Sequence, residues 1–146
     1  MEREQEAVSG NTERLIEELC ALYSMEHISF FTDFLRGELR ILDYLDRCGQ
    51  SSVLPGDLSE RLFVSSARIA AALGALEKKG YVQRVMAPDD RRKVLVSITG
   101  EGGEYVRTRR ASVIAAVDTA MCALGEEDAS HLVRIIGRLS EFMRVG

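Results

Sequence analysis

Apolar residues recur every third or fourth position over most of the chain, which is the spacing of amphipathic helices. Residues 11–27 and residues 31–47 each predict one such helix, and Gly49 begins the loop that follows. Pro55 suits the first turn of a short third helix, because that turn has no use for the N–H that proline lacks. A fourth helix is predicted for residues 65–79, with a serine at its start as the N-cap and a glycine after its end.

The pattern then changes to the two-residue period of β-strands. Residues 81–86 and 93–98 predict two strands, and the six residues between them combine a proline, two aspartates and two arginines, which is turn chemistry with a basic tip. Helical spacing returns for residues 99–124, with Thr99 as the predicted cap, and for residues 126–144. The predicted fold is therefore mainly α-helical with one small antiparallel β-hairpin.

Two short helices joined by a tight turn and followed at once by a basic hairpin describe a winged helix-turn-helix. In this fold the second helix can enter the DNA major groove, which is about 12 Å wide. The tip of the hairpin, the wing, can reach a neighbouring minor groove, whose negative potential attracts cations. The order of elements alone thus favours a protein that binds double-stranded DNA.

The charge distribution favours the same interpretation, although the total charge does not. The 146 residues carry a formal charge of −4, but residues 61–110 hold 11 basic and 5 acidic residues. The first 60 residues, by contrast, hold 5 basic and 13 acidic residues. A basic block in an acidic chain is either the footprint of a phosphate-binding surface or a solvated face, and charge alone leaves both interpretations open.

Three motifs in this part of the chain resemble those of the MarR family of bacterial regulators. The helix-turn-helix segment LSERLFVS (58–65) and the exit from the second helix, LEKKGYV (76–82), are two of them. The third is the hairpin, in which PDDRR (88–92) leads to VLVSIT (94–99) and then to Gly102. All three stand in the family's order and spacing.

The resemblance implies a homodimeric, DNA-binding transcriptional regulator, with repression by occlusion of a promoter as the expected mode. It implies an N-terminal dimerisation helix region in residues 1–36, the winged helix-turn-helix in residues 37–99 and C-terminal dimerisation helices in residues 100–146. We expect the apolar stripes of the first and last helices to form the dimer interface: Leu15, Ile16, Leu19, Leu132, Ile135, Ile136, Leu139, Phe142 and Met143.

The arginine of the family's wing motif falls on Arg92, with Asp90 as the acidic partner that orients it and Arg91 beside it. On the second helix, Arg68 is the long side chain of the outward face, and a bidentate guanine contact discriminates bases by about 1–3 kcal/mol. Alanines on that face can touch a thymine methyl group. The full predicted set of DNA contacts is Ser65, Ser66, Arg68, Ala71, Ala72, Asp90, Arg91, Arg92 and Lys93.

Two groups of residues could release the protein from DNA in response to a signal, and each also has a purely structural explanation. Cys20 on the first helix resembles the peroxide-sensing cysteine of a subset of the family, whereas free cysteine is commonly just packed as a small apolar residue. The aromatic cluster of His27, Phe30, Phe31 and Phe34 predicts a pocket for a small aromatic ligand, and ordinary core packing is the alternative.

Other classes of function find little support in the sequence. Neither histidine has a cysteine or carboxylate at ligand spacing, and the three cysteines form no C-x-x-C pair, so we predict no metal and no cofactor. No glycine-rich phosphate loop or nucleophile motif points to an enzyme. No apolar run reaches the roughly 18 residues of a membrane span and the acidic start lacks a signal-peptide pattern, so we expect a cytoplasmic protein. The competing class is a winged-helix module that binds a protein instead of DNA.

Overall fold

The computed structural model describes the backbone of residues 2–24, 26–49 and 51–145, and the side chains of residues 10–24, 31–49 and 51–144. Helices make up most of this part of the chain, and a two-stranded antiparallel sheet completes it, which confirms the predicted fold class. The elements in order are α1 (Glu2–Tyr23), α2 (Glu26–Leu35), α3 (Gly37–Arg47), α4 (Pro55–Leu62), α5 (Ser66–Lys78), β1 (Val82–Met86), β2 (Val94–Ile98), α6 (Gly100–Leu124) and α7 (Glu126–Val145).

The chain divides into two compact units, residues 1–107 and residues 108–146. The first unit contains the helix-turn-helix (α4 and α5) and the wing, and the second contains most of α6 and all of α7. Gly125 ends α6 with φ +81°. Among the described residues, no helix has a stretch long and apolar enough to cross a membrane.

The helices differ from the prediction at three places in the first 47 residues. α1 begins at Glu2 instead of near residue 11, and it ends at Tyr23 instead of near residue 27, so that α2 already begins at Glu26. The single helix predicted for residues 31–47 is two helices, α2 and α3, because Arg36 is extended (φ −131°, ψ 159°) and Gly37 adopts φ +65°. A glycine takes this left-handed conformation without the steric cost of a Cβ atom, so the chain changes direction here.

One hydrophobic core joins every element from α3 to the start of α6. Fully burying an aliphatic side chain contributes roughly 1.5–3 kcal/mol, so this cluster supplies much of the stability of the winged helix-turn-helix. The i, i+4, i+7 spacing that predicts the inner face of α5 is confirmed by its three buried residues. The members of the cluster are Ile41, Leu42, Leu45, Leu58, Leu62, Ile69, Leu73, Leu76, Val82, Val96 and Val106.

The wing (residues 82–98) is tied to the helices by a third short segment. β1 and β2 pair with each other along their full length. On the other edge of β2, the Val53 N–H donates to the Val96 carbonyl oxygen at 2.9 Å, and the Val96 N–H donates to the Val53 carbonyl oxygen at 2.8 Å. This bridge anchors the wing to the segment between α3 and α4.

The start of α6 lies tightly against the loop that follows α5. The Thr99 hydroxyl donates to the Gly80 carbonyl oxygen at 2.7 Å and accepts the Gly102 N–H at 3.1 Å, which confirms Thr99 as the predicted cap. A Cβ atom on Gly102 would lie 2.1 Å from the Tyr81 carbonyl oxygen, so this approach requires glycine. Gly80, with φ +76°, follows the end of α5 as predicted. Together these contacts fix the wing relative to α5.

Candidate nucleic-acid interface

The turn between α4 and α5 sets the direction in which α5 leaves the core. Phe63 ends α4 in the left-handed conformation (φ 54°, ψ 44°) and is 83% exposed. The Val64 N–H donates to the Ser59 carbonyl oxygen at 3.1 Å, and the Ser59 hydroxyl donates to the Val64 carbonyl oxygen at 2.7 Å. A left-handed residue with a side chain costs roughly 1–2 kcal/mol, so these hydrogen bonds and the buried leucines of α4 must outweigh that cost.

The start and the outward face of α5 carry four of the nine residues predicted to contact DNA. Ser65, Ser66, Arg68 and Ala71 are exposed, whereas Ala72 is half-buried and packs against the core. Ser65 occupies the N-cap position, as predicted, but its hydroxyl makes no capping hydrogen bond. Two further exposed alanines, Ala67 and Ala70, are not among the predicted DNA contacts. Arg68 is therefore the long side chain at the N-terminal end of this face.

The wing tip is a closed turn that presents three cations. Asp90 accepts the Arg92 N–H on Oδ1 at 2.9 Å, and its carbonyl oxygen accepts the Lys93 N–H at 2.9 Å. The family resemblance predicts that Asp90 orients the Arg92 guanidinium, whereas in the structure the Asp90 carboxylate accepts the backbone N–H of Arg92. Arg91, Arg92 and Lys93 are all exposed. Asp90 thus holds the turn from which these side chains project.

Some cations of the basic block belong to ion pairs within the fold. Lys79 donates to Glu38 and links the end of α5 to α3, and this hydrogen bond raises the pKa of Lys79. Arg107, on the first turns of α6, pairs with Asp46 of α3 at 2.7 Å. Charge counted along the sequence therefore overstates the number of cations that the block offers to a ligand.

An open cavity of about 570 Å³ lies beside the N-terminal half of α5. The cavity is lined by three arginines: Arg36, which precedes α3, Arg40 of α3 and Arg68 of α5. None of the described residues that line it is acidic. The Arg40 Nε is buried and has no hydrogen-bond partner in the described part of the chain, while its Nη1 donates to the Leu35 carbonyl oxygen at 3.4 Å. The charge pattern of the sequence does not single out Arg36 and Arg40, because both lie in the acidic first 60 residues.

The two predicted sensing sites have different surroundings. His27 and Phe30 lie outside the residues whose side chains are described. Phe31 and Phe34 are half-buried, and Phe34 packs against the core, as the packing alternative expects. Cys20 is exposed on α1, so it is not packed inside this single chain as a small apolar residue. Among the described residues, no group of His, Cys, Asp and Glu side chains is suited to hold a metal ion.

All nine side chains predicted for the dimer interface are exposed in the single chain. On α1, Leu15, Ile16 and Leu19 are each more than half exposed. Contiguous exposed apolar surface of this kind marks an interaction site. The stripe on α7 consists of Leu132, Ile135, Ile136, Leu139, Phe142 and Met143.

Comparison with known proteins agrees with this geometry. A model of the MarR family matches residues 32–93, which span the core helices, the helix-turn-helix and the wing tip. The HTH-type transcriptional repressor YetL of Bacillus subtilis is 26% identical over 121 residues, which are 83% of this chain and 72% of that protein. The HTH-type transcriptional regulator PecS of Dickeya dadantii is 24% identical over 107 residues, which are 73% of this chain and just 64% of that protein.

A solved structure has the same fold. FabT of Streptococcus pneumoniae, determined in complex with DNA, matches with a TM-score of 0.65 and 23% identity, and the match covers 98% of this chain and 96% of that chain. The family model and the regulator relatives support one assignment of fold and class. Residues 32–93 match the MarR family, and the regulator relatives support a MarR-family winged-helix transcriptional regulator.

Proposed function

We propose that this chain is a cytoplasmic repressor that binds double-stranded DNA sequence-specifically, as a homodimer on a pseudo-palindromic site. The observation that carries the proposal is the wing tip, where Asp90 closes a turn from which Arg91, Arg92 and Lys93 project. A turn held from within, with three exposed cations, suits a negatively charged groove. A two-fold dimer presents two recognition helices, so its half-sites lie about one helical turn, roughly 34 Å, apart.

The proposed roles follow from the length and chemistry of each side chain. Arg92, with Arg91, enters the minor groove, and Arg68 contacts a base edge in the major groove. Ser65 and Ser66 at the start of α5 bind phosphates, and so does Lys93. The exposed Ala71, rather than the half-buried Ala72, is the better candidate for contact with a thymine methyl group.

The proposed dimer uses the exposed apolar stripes of α1 and α7. On each helix the stripe repeats at helical spacing, and a monomer would leave it in water. A second copy that covers these side chains removes them from water, and each Å² of apolar surface buried in this way contributes about 25 cal/mol to the free energy of association. We therefore assign residues 1–36 and 100–146 to dimerisation and residues 37–99 to DNA binding.

Selection from a random duplex library, with reduced protein at about 100 mM salt, tests the proposal directly, because nonspecific phosphate contacts weaken as salt rises. An enriched pseudo-palindrome is the expected result. Failure of a folded, dimeric protein to enrich any sequence would overturn specific DNA binding by the protein as tested.

The second candidate is a winged-helix module that binds another protein. One observation favours it: the outward face of α5 is rich in small residues, with Ala67, Ala70 and Ala71 beside the single arginine Arg68. The salt dependence of duplex binding separates the candidates, since a protein-binding module has no phosphate contacts to lose. If the chain binds DNA, the double variant Arg91→Ala/Arg92→Ala should lose most of its affinity for the duplex. If the chain binds a protein instead, the double variant and the wild type should not differ in their affinity for the duplex.

Release by an oxidant through Cys20 belongs to the same proposal. The thiol lies on the exposed side of α1, within an apolar groove lined also by Ile16, Leu19 and Tyr23. Cys20→Ser should keep duplex binding but lose its release by an organic hydroperoxide. Cys122→Ser is the matched control, since Cys122 is also exposed. Release that persists unchanged in Cys20→Ser excludes this mode.

Release by a small aromatic acid is the alternative mode of regulation. Phe31 and Phe34, half-buried near the junction of α2 and α3, are its described side chains. Titration with salicylate should weaken duplex binding by the wild type. A duplex affinity that does not change at any salicylate concentration counts against the pocket.

A further inference from the structure

Three arginines from distant parts of the sequence meet at the cavity beside α5. Arg36 precedes α3, Arg40 lies on its first turns, and Arg68 lies on the first turn of α5. No acidic side chain is among the described residues that line the cavity, so nothing within this lining offsets the three positive charges. A cluster of this kind is stabilised when an anion occupies it.

Past Arg40, the side of α3 is no longer purely cationic, because Asp43 pairs there with Arg47. A second open cavity of about 380 Å³ shares Arg40 with the first and is lined also by Arg47 and Arg61. The acidic side chain at this second cavity, Asp43, pairs with Arg47 at 2.9 Å. The positive charges of the arginines nearest α5 are therefore the ones least offset by acidic side chains.

We propose that Arg36 and Arg40 bind phosphates of the DNA strand that borders the major groove entered by α5. This inference rests on the proposed function. Arg68 and Ala72 line the cavity one turn apart, so the cavity runs along the side of α5 and not beneath it. In a helix-turn-helix complex the surface beside the recognition helix faces the phosphate backbone. The positive end of the α3 dipole, at Gly37, adds to the attraction for a phosphate.

The side chains fit the proposed role in detail. Arg36 is exposed and makes no ion pair with a described residue, so it is available to move to a phosphate. Arg40 is half-buried and lines both cavities, and its Nε has no hydrogen-bond partner among the described residues, so the fold does not commit this donor elsewhere. Contacts of this kind position the protein on the duplex and carry no sequence information.

The test measures the affinity for a selected duplex and for a random duplex between about 50 and 200 mM salt. Arg36→Ala should reduce the steepness of the log–log salt dependence by about 0.9, and Arg36→Ala/Arg40→Gln by about 1.8. Both duplexes should lose affinity by the same factor, whereas Arg68→Ala should lose more on the selected duplex. Arg47→Ala, at the far end of α3, is the matched control and should leave the slope unchanged.

Each outcome decides between distinct conclusions. Unchanged slopes in Arg36→Ala and in the double variant, at unchanged melting temperature, overturn the assignment of these two arginines while the proposed function stands. Absence of duplex binding by the wild type overturns both proposals. The last measurement compares melting temperatures with and without inorganic phosphate at constant ionic strength. If phosphate raises the melting temperature of the wild type but not of the double variant, while the salt slopes agree, the cavity binds a free anion and not DNA.

Discussion

Gly102 leaves no room for one more carbon atom, since a Cβ there would lie 2.1 Å from the backbone oxygen of Tyr81. At Asp90 one carboxylate oxygen closes the wing turn by accepting the Arg92 N–H. Neither residue carries the charge that is proposed to meet DNA. At the scale of single residues, the site therefore depends on groups that position the backbone as much as on the cations themselves.

Gly102→Ala should lower the free energy of unfolding by about 1–3 kcal/mol, the usual cost of forcing an extra group into a packed structure. Urea unfolding followed by circular dichroism measures the change. Gly74→Ala is the control, because nothing lies within 4 Å of a Cβ at Gly74, and alanine stabilises a helix by roughly 0.5–1 kcal/mol relative to glycine. Equal stability of Gly102→Ala and the wild type would contradict the close approach to Tyr81.

The role of Asp90 can be separated from its charge. Asp90→Asn keeps an oxygen acceptor for the Arg92 N–H, whereas Asp90→Ala removes it, and both remove the negative charge. A typical hydrogen bond contributes about 1 kcal/mol, so Asp90→Ala should bind duplex about fivefold more weakly than Asp90→Asn. Fluorescence anisotropy at fixed salt gives both affinities. Identical affinities for the two variants would mean that the hydrogen bond does not order the tip.

Among the elements, the wing is held by the segment before α4 and by the start of α6. The bridge between Val53 and Val96 secures one edge of β2, and the Thr99 cap secures its end. α3 and α5 are linked by the Lys79–Glu38 pair. Since the folded-state pKa of Lys79 is raised, this pair stabilises fully below the ordinary lysine pKa of 10.5 and is lost only as pH rises beyond it. The link is therefore intact at neutral pH.

Val53→Pro should loosen the wing, because proline has no N–H to donate to the Val96 carbonyl oxygen. We expect a loss of about 1–3 kcal/mol in unfolding free energy, the cost of leaving a buried acceptor unsatisfied, together with weaker duplex binding. Val53→Thr keeps the N–H and a similar shape and is the control. Hydrogen exchange measures the Val96 amide directly, and equal protection of this amide in the two variants would exclude the anchor.

At the scale of the whole molecule, two helices, α1 and α7, expose apolar stripes. Leu19 on α1 and Phe142 on α7, 54% and 76% exposed, belong to stripes that run along the two helices. A second copy of the chain is the partner that the proposed dimer would place on these stripes.

Phe142→Asp should convert the proposed dimer into a 16.2 kDa monomer, because an unpaired charge in an apolar interface costs several kcal/mol. Sedimentation equilibrium gives the mass, and circular dichroism checks that the helices persist. Duplex affinity should fall too, since one chain then engages one half-site. Arg138→Glu changes a charge on α7 outside the stripe and should leave the mass at twice that of the chain. A wild type that sediments as a monomer would remove the basis of the dimer.

Much of the winged helix-turn-helix is encoded locally. The spacing of Ile69, Leu73 and Leu76 predicts the buried face of α5, and the residues around Asp90 predict the turn. Local encoding fails at Arg36 and Gly37, because the periodicity of residues 31–47 continues through a break that the backbone of one glycine produces. It also fails at Ala72, whose burial depends on what packs beside α5.

The sequence alone predicts the helix-turn-helix and the wing in their order, the inner face of α5 and the basic chemistry of the wing tip, because each depends on residues close together along the chain. Which cations are engaged within the fold depends instead on tertiary packing. Lys79 and Arg107 belong to ion pairs, while Arg36 and Arg40, from an acidic segment, come to lie beside Arg68. The physical reason is that charges interact through space, and the distance that matters is set by the packing of α3 against α5 and not by separation along the chain.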